Sequence, residues 1–254
     1  MEAWGLGMFM VSAGLFATLL DYPGSLAHAA IADPDLRRAL IGIAMGLTAV
    51  GIIYSPWGQQ SGAHLNPAVT LTFLRLGKVK PIDAAFYVLA QFIGGTIGVL
   101  LVKSVLGSAF TEPPVTYVAT MPGEHGVTVA FLAEFLISMG LMLLVLVVSN
   151  TQRLARLTGV FAGMLVATYI TFEAPLSGMS MNPARSFASA APSGIWEHLW
   201  IYFLAPPIGM LTASQLYVSF KPRAAVRCAK LDHAPRKRCI HCGYEPASGA
   251  PCEG

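Results

Sequence analysis

Two asparagines stand where a buried side-chain amide could act on a passing solute. Asn66-Pro67-Ala68 and Asn182-Pro183-Ala184 repeat one tripeptide in a chain of 254 residues. Asn followed by Pro starts a helix, because the side chain caps the first turn and Pro fits a position whose N–H would be unpaired anyway. The free amide hydrogens can donate to a polar solute, and the positive helix end behind them repels cations. Arg185 directly follows the second tripeptide. An arginine at membrane depth is costly and marks function by default. Glu2 and Glu134 are two further carboxylates in apolar surroundings. They could carry protons, or they could brace nearby backbone; their matched positions, one early in each half, favour bracing. Near the C-terminus, Cys228, His233, Cys239 and Cys242 form a C-x4-H-x5-C-x2-C pattern. Those residue types suit a tetrahedral zinc site. A solvated basic tail lying near anionic lipid is the competing account.

The elements that must hold these groups are membrane spans. The chain is 55% hydrophobic and only 11% charged, against about 25% charged in a soluble domain. Its apolar residues fall in blocks of roughly 18 to 24, enough to cross a ~30 Å hydrocarbon core. In lipid such blocks must be helices, because every backbone group has to be satisfied internally. Six spans are expected, approximately Ala3–Leu20, Ala39–Trp57, Asp83–Leu106, Val127–Ser149, Leu157–Phe172 and Glu197–Phe220. The first has Glu2 before it rather than a basic segment, so it is expected to be retained rather than cleaved, and to begin close to the membrane. All four cysteines lie beyond residue 220, which excludes a disulfide framework for the spans.

Two apolar stretches, Pro67–Leu76 and Pro183–Ala191, are too short to cross. About ten residues at 1.5 Å each reach ~15 Å, half of the hydrocarbon thickness. Gly62 and Gly178, four residues before each Asn, allow the chain to turn into the membrane. One tripeptide follows span two and the other follows span five. Three spans per half is an odd number, so the second half must lie upside down relative to the first. Such inverted repeats put a solute pathway near the midplane, at their interface. The two half-helices then meet with their positive ends at the centre, and Asn66 and Asn182 present donors there. Water held by those donors must offer its lone pairs, which interrupts a proton-conducting chain.

Charge sets the expected orientation. With both termini cytoplasmic, the inner loops hold Arg75, Lys78, Lys80, Arg153 and Arg156, and the tail adds Lys221, Arg223, Arg227, Lys230, Arg236, Lys237 and Arg238. The outer side keeps only Arg37, Arg38, Lys103 and Arg185. The positive-inside rule selects this topology. Gly94, Gly95 and Gly98 in span three, and Gly159 and Gly163 in span five, are expected to serve close helix packing.

At Ser61-Gly62-Ala63-His64-Leu65-Asn66-Pro67-Ala68-Val69-Thr70 and Gly178-Met179-Ser180-Met181-Asn182-Pro183-Ala184-Arg185-Ser186-Phe187 the sequence resembles the aquaporin, or major intrinsic protein, family. The resemblance covers about residues 2 to 220. It implies an all-α membrane fold of six transmembrane helices and two re-entrant half-helices, with inverted repeats over about 1–110 and 127–220. A basic Cys/His-containing tail, 221–254, would follow. It also implies a homotetramer with one pore per subunit, in the plasma or inner membrane. The partners implied are the lipid bilayer, water and small neutral solutes, without nucleic acid. Asn66, Pro67, Ala68, Asn182, Pro183, Ala184 and Arg185 match the family's pore residues, with Glu2, Glu134 and His64 as bracing groups. No cofactor is implied beyond the zinc that the tail residues could hold.

Solute choice reads in two directions. The family's water channels typically carry Ser after the Arg, then Ala, then an aromatic in span six, and this chain has Ser186, Ala190 and Tyr202. Glycerol channels have Asp in place of Ser186. Counting without gaps puts Gly46, Ile170 and Met179 beside Arg185 as the selectivity filter. An orthodox water filter would resemble Phe, His and Cys there, so this one reads as wider and less polar. A one-residue gap would substitute Met45, or Tyr169 or Thr171, and Phe172 and Glu173 lie close enough to intrude. The function expected is a passive channel for water and other small neutral solutes that excludes protons and ions. A glycerol facilitator and a proton-coupled transporter are the alternatives. No nucleophile–base set or metal triad occurs in the spans, so catalysis is not expected.

Overall fold

The computed structural model describes residues 1–233 and 238–245. Arg236, Lys237 and Cys252 lie outside the described residues. Among those described there is no strand, and six helices are long and apolar enough to cross a membrane. They and two shorter helices make up the frame: α1 (Glu2–Asp21), α2 (Pro34–Tyr54), α3 (Pro67–Arg75), α4 (Pro81–Leu106), α5 (Gly126–Ser149), α6 (Thr158–Phe172), α7 (Pro183–Ser193) and α8 (Leu199–Phe220). At 1.5 Å per residue most of the long ones reach roughly 30 to 39 Å, whereas α3 and α7 reach roughly 14 to 17 Å.

The ends differ from the sequence expectation where capping chemistry intervenes. Helix α2 begins at Pro34 rather than Ala39, because the Asp33 carboxylate accepts from the N–H groups of Asp35 and Leu36 and Pro34 occupies the first turn. It stops at Tyr54 rather than Trp57. Ser55 then caps a separate short helix, Pro56–Ser61. The half-helices end at Arg75 and Ser193 rather than Leu76 and Ala191.

The two halves interlock. Within each half the first and third spans pack together, α1 on α4 and α5 on α8, and the second spans pair across the molecule, α2 on α6. Each half-helix is seated on the third span of the other half: α3 packs on α8 and α7 on α4. Ile43, Leu47, Ile97 and Val105 are exposed on the outer faces, as lipid-facing side chains should be. The interior core is continuous from Phe73 on α3 to Leu146 on α5. It also takes in Val226, Ala229 and Leu231 from beyond α8.

Candidate functional site

Two loops descend to the centre in matched conformations. Gly62 and Gly178 turn them with left-handed backbone (φ 100° and 79°). Left-handed residues follow at Ala63 and Leu65 in one loop and at Met179 and Met181 in the other. Non-glycine residues there cost about 1–3 kcal/mol each and persist only where surroundings hold them. Two buried carboxylates do the holding. Glu2 accepts from Ser61 Oγ (2.6 Å), from the Leu65 N–H (2.7 Å) and from Gln91 Nε2 (2.8 Å). Glu134 accepts from Ser177 Oγ (2.9 Å) and from the N–H groups of Ser180 (2.6 Å) and Met181 (2.7 Å).

Each loop ends at its asparagine. Asn66 Oδ1 accepts from the Ala68 N–H, and Asn182 Oδ1 accepts from those of Ala184 and Arg185. The amide nitrogens cross between halves: Asn66 Nδ2 donates to Met181 O (2.6 Å) and Asn182 Nδ2 to Leu65 O (2.7 Å). An amide nitrogen carries two hydrogens. One on each asparagine is therefore committed across the junction, and the other is left for whatever occupies the space beside it.

That space is a cavity of about 340 Å³. Its walls from α1, α2, α5 and α6 are mostly apolar, with Phe9, Ala49, Val145 and Val166 among them. The two loops and the start of α7 bring in His64, Asn66, Ser180, Asn182 and Arg185, and Asp21 and Arg38 add charge from the ends of α1 and α2. Arg185 is fixed by donating from one guanidinium nitrogen to Val118 O (2.8 Å). Ile170 and Met179 line the same cavity, whereas Glu2 and Glu134 do not. His64 lies between the pore and its supports, with Nδ1 3.1 Å from Thr70 Oγ1 and Nε2 2.7 Å from Ala229 O.

One filter position needs correction. Gly46 does not line the cavity. A Cβ added there would lie 2.5 Å from Gly163 O, so this face of α2 is pressed onto α6. Met45, one position and about 100° away on the helix, lines the cavity instead. Phe172 and Glu173 do not intrude: Phe172 is exposed on the outside, and Glu173 is buried against Ser177. Ser186 and Tyr202 are buried off the cavity. Ser186 Oγ pairs with Thr120 and Ser180, and the Tyr202 hydroxyl donates to Ser177 O. Arg38 was not anticipated as a lining residue. Its spacing from Ile41, Met45 and Ala49 traces a single helical face, which was the available signal.

The described part of the tail brings its four candidate ligands together. One ligand atom from each of Cys228, His233, Cys239 and Cys242 lies within 4.8 Å of all the others. Hydrogen bonding between the thiols pushes Cys228 well above the usual thiol range and holds Cys239 far below it. Bonding to Cys239 raises His233 above the ordinary imidazole value.

Residues 4–217 match the major intrinsic protein family. Aquaporin NIP2-3 of Zea mays is 33% identical over 231 residues, which cover 89% of this chain and 74% of that protein. Aquaporin NIP1-2 of Arabidopsis thaliana is 32% identical over 204 residues, covering 78% and 69%. The X-ray structure of the aquaglyceroporin from Plasmodium falciparum shares the fold, with a TM-score of 0.71 at 22% identity, covering 88% of this chain and 96% of that one. The tail cluster falls beyond the residues 4–217 that match the family. With paired half-helices meeting at two cross-bonded asparagines and this extent of similarity, the chain belongs to the major intrinsic protein family.

Proposed function

We propose that the protein is a passive channel for water and small neutral solutes, with its selectivity set at the asparagine junction and at Arg185. The observation that carries this reading is the pair of asparagine amides, each locked by one hydrogen to the opposite loop and each lining the same cavity. A solute passing between them accepts hydrogen bonds and cannot donate in return. A file of water is thereby reoriented, which breaks proton relay, and the positive helix ends together with Arg185 oppose cations.

Met45, Ile170 and Met179 complete the filter with Arg185 in this reading. Three apolar side chains and one donor group favour solutes with few hydrogen-bonding demands, so water is joined by small uncharged solutes. Glu2 and Glu134 serve as braces, which speaks against proton coupling: both are occupied by donors and neither faces the cavity. The channel unit comprises residues 1–220, as two inverted repeats, and 221–254 forms a cytoplasmic tail. Both termini are cytoplasmic by the distribution of Lys and Arg. The small-residue contacts and lipid-facing surfaces are compatible with a homotetramer in the cell membrane.

Proteoliposomes carrying the protein are expected to shrink faster than empty ones after an osmotic step, followed by stopped-flow light scattering. Running glycerol against water in the same preparation ranks the solutes. An unchanged rate with correctly inserted protein would sink the channel reading. A smaller prediction concerns Met179, which stands in the cavity wall where a cysteine would confer mercurial block. Mercury should change water flux little once the tail cysteines are replaced by serine. Strong residual block in that variant would argue against Met179 as a filter residue.

A further inference from the structure

The segment following α8 turns back onto the channel instead of leaving it. Val226 and Ala229 are fully buried and Leu231 is 7% exposed. The Leu231 N–H donates to Gly62 O (3.2 Å), and Lys230 Nζ donates to Gln59 O (2.8 Å). Gln59 Nε2 in turn donates to Asp232 Oδ2 (2.8 Å). Leu231 also forms part of the cavity wall, together with Ala63 and His64. A strap of tail therefore lies across the pore mouth on the side where the chain ends.

Residues 226–233 contain no helix or strand, so regular backbone bonding does not hold the strap. The cluster immediately around it can. Cys228 Sγ lies 3.4 Å from Cys239 Sγ, and His233 Nε2 lies 3.3 Å from Cys242 Sγ. Tetrahedral zinc with bonds of ~2.0–2.3 Å separates its ligand atoms by about 3.3 to 3.8 Å. Thiols make weak hydrogen bonds, and so short a segment has no core of its own to gather three of them beside an imidazole. The surrounding geometry also fits a metal knuckle. The Cys239 N–H donates to Tyr244 O (2.8 Å), which closes a tight turn around the Cys239–Cys242 pair, and Gly243 takes the left-handed conformation that follows the second Cys of that pair (φ 71°).

The cluster is tied directly to the pore mouth. His241, between two of the ligands, stacks on His64 (centroids 5.9 Å apart, planes 9° apart) and has Nε2 2.9 Å from Ser61 O. We propose that Cys228, His233, Cys239 and Cys242 bind one zinc ion, and that the ion clamps the Val226–His233 strap over this mouth, so that loss of the metal raises conductance. The site stands independently of the channel reading; the clamp rests on it.

Full-length protein purified without chelator is expected to carry one zinc per chain by plasma mass spectrometry. The Cys239→Ser/Cys242→Ser variant should lose most of it, and cobalt exchanged into the wild type should give the intense visible bands of a tetrahedral thiolate complex. In proteoliposomes, stripping zinc with a membrane-permeant chelator should raise water permeability severalfold, and restoring zinc should reverse the rise. Leu231→Gly should raise it with zinc still bound. Metal-free wild-type protein that fails to take up zinc or cobalt would overturn the site, as would a Cys228–Cys239 disulfide in reduced preparations. Bound zinc whose removal leaves a clear water flux unchanged would overturn the clamp. Bound zinc with no flux in either state would uphold the site and overturn the channel reading.

Discussion

Gly94→Ala protein is expected not to accumulate as a folded channel. A Cβ built on Gly94 would lie 2.0 Å from Ala3 O and 2.3 Å from Ala3 Cα, both backbone atoms of α1 that no rotamer change can move aside. Helices α1 and α4 would have to separate by more than an ångström along their contact. Overpacking of this kind costs about 1–3 kcal/mol and more where backbone must yield. Close backbone approach is also a main source of helix association in lipid. The displacement has a second effect, since Ala3 adjoins Glu2. Moving the start of α1 pulls the carboxylate away from Ser61 and from the Leu65 N–H. The check is monodisperse yield after detergent extraction, with Gly51→Ala as the control. Nothing lies within 4 Å of a Cβ added at Gly51, so that variant should behave as wild type. Equal yields from both variants would refute the α1–α4 packing described.

Glu134→Ala should be nearly as damaging, for a different reason. Its carboxylate is fully buried and takes three donors: the Ser177 hydroxyl and the N–H groups of Ser180 and Met181. Removing it leaves those donors unpaired, at roughly 1–3 kcal/mol each. It also frees the loop whose Met179 and Met181 hold left-handed conformations. Glu134→Gln keeps the shape but turns an NH2 group toward backbone N–H donors, so it should recover only part of the loss. The measurement is the fraction of protein surviving as a single size-exclusion peak across a heating series. Survival is expected to rank wild type, then Gln, then Ala. If Glu134→Ala tolerates heat as well as wild type does, the bracing role is wrong.

Most of the frame was legible in the sequence because its signals are local. Asn-Pro marks a capped helix start, and long apolar runs allow only spanning helices. The repeated tripeptide also revealed the inversion. What escaped was geometry that depends on which face of a helix turns inward. Gly46 and Met45 are neighbours in sequence, yet one is pressed against Gly163 and the other borders the cavity. A count along the chain cannot distinguish them without the register of α2 against α6. The boundary of α2 was missed because a polar run, Asp33 to Arg38, reads as loop by hydropathy, although Asp33 caps it. The tail's return to the pore had no sequence signal beyond Val226, Ala229 and Leu231, too few apolar residues to imply a docking surface. Its four metal-ligand residues were visible, but their convergence required the fold.

The exchange of half-helices between halves bears on the order of biosynthesis. Helix α3 is made early, but its seat is α8, the sixth of the described spans to leave the ribosome. Until then the first half can insert its three spans but cannot finish its own re-entrant loop. The Asn66 amide likewise lacks its acceptor until Met181 has been translated. A nascent chain halted after the third span thus holds the parts of half a pore with neither gate nor lock. The first half's pore loop is completed only by elements of the second half.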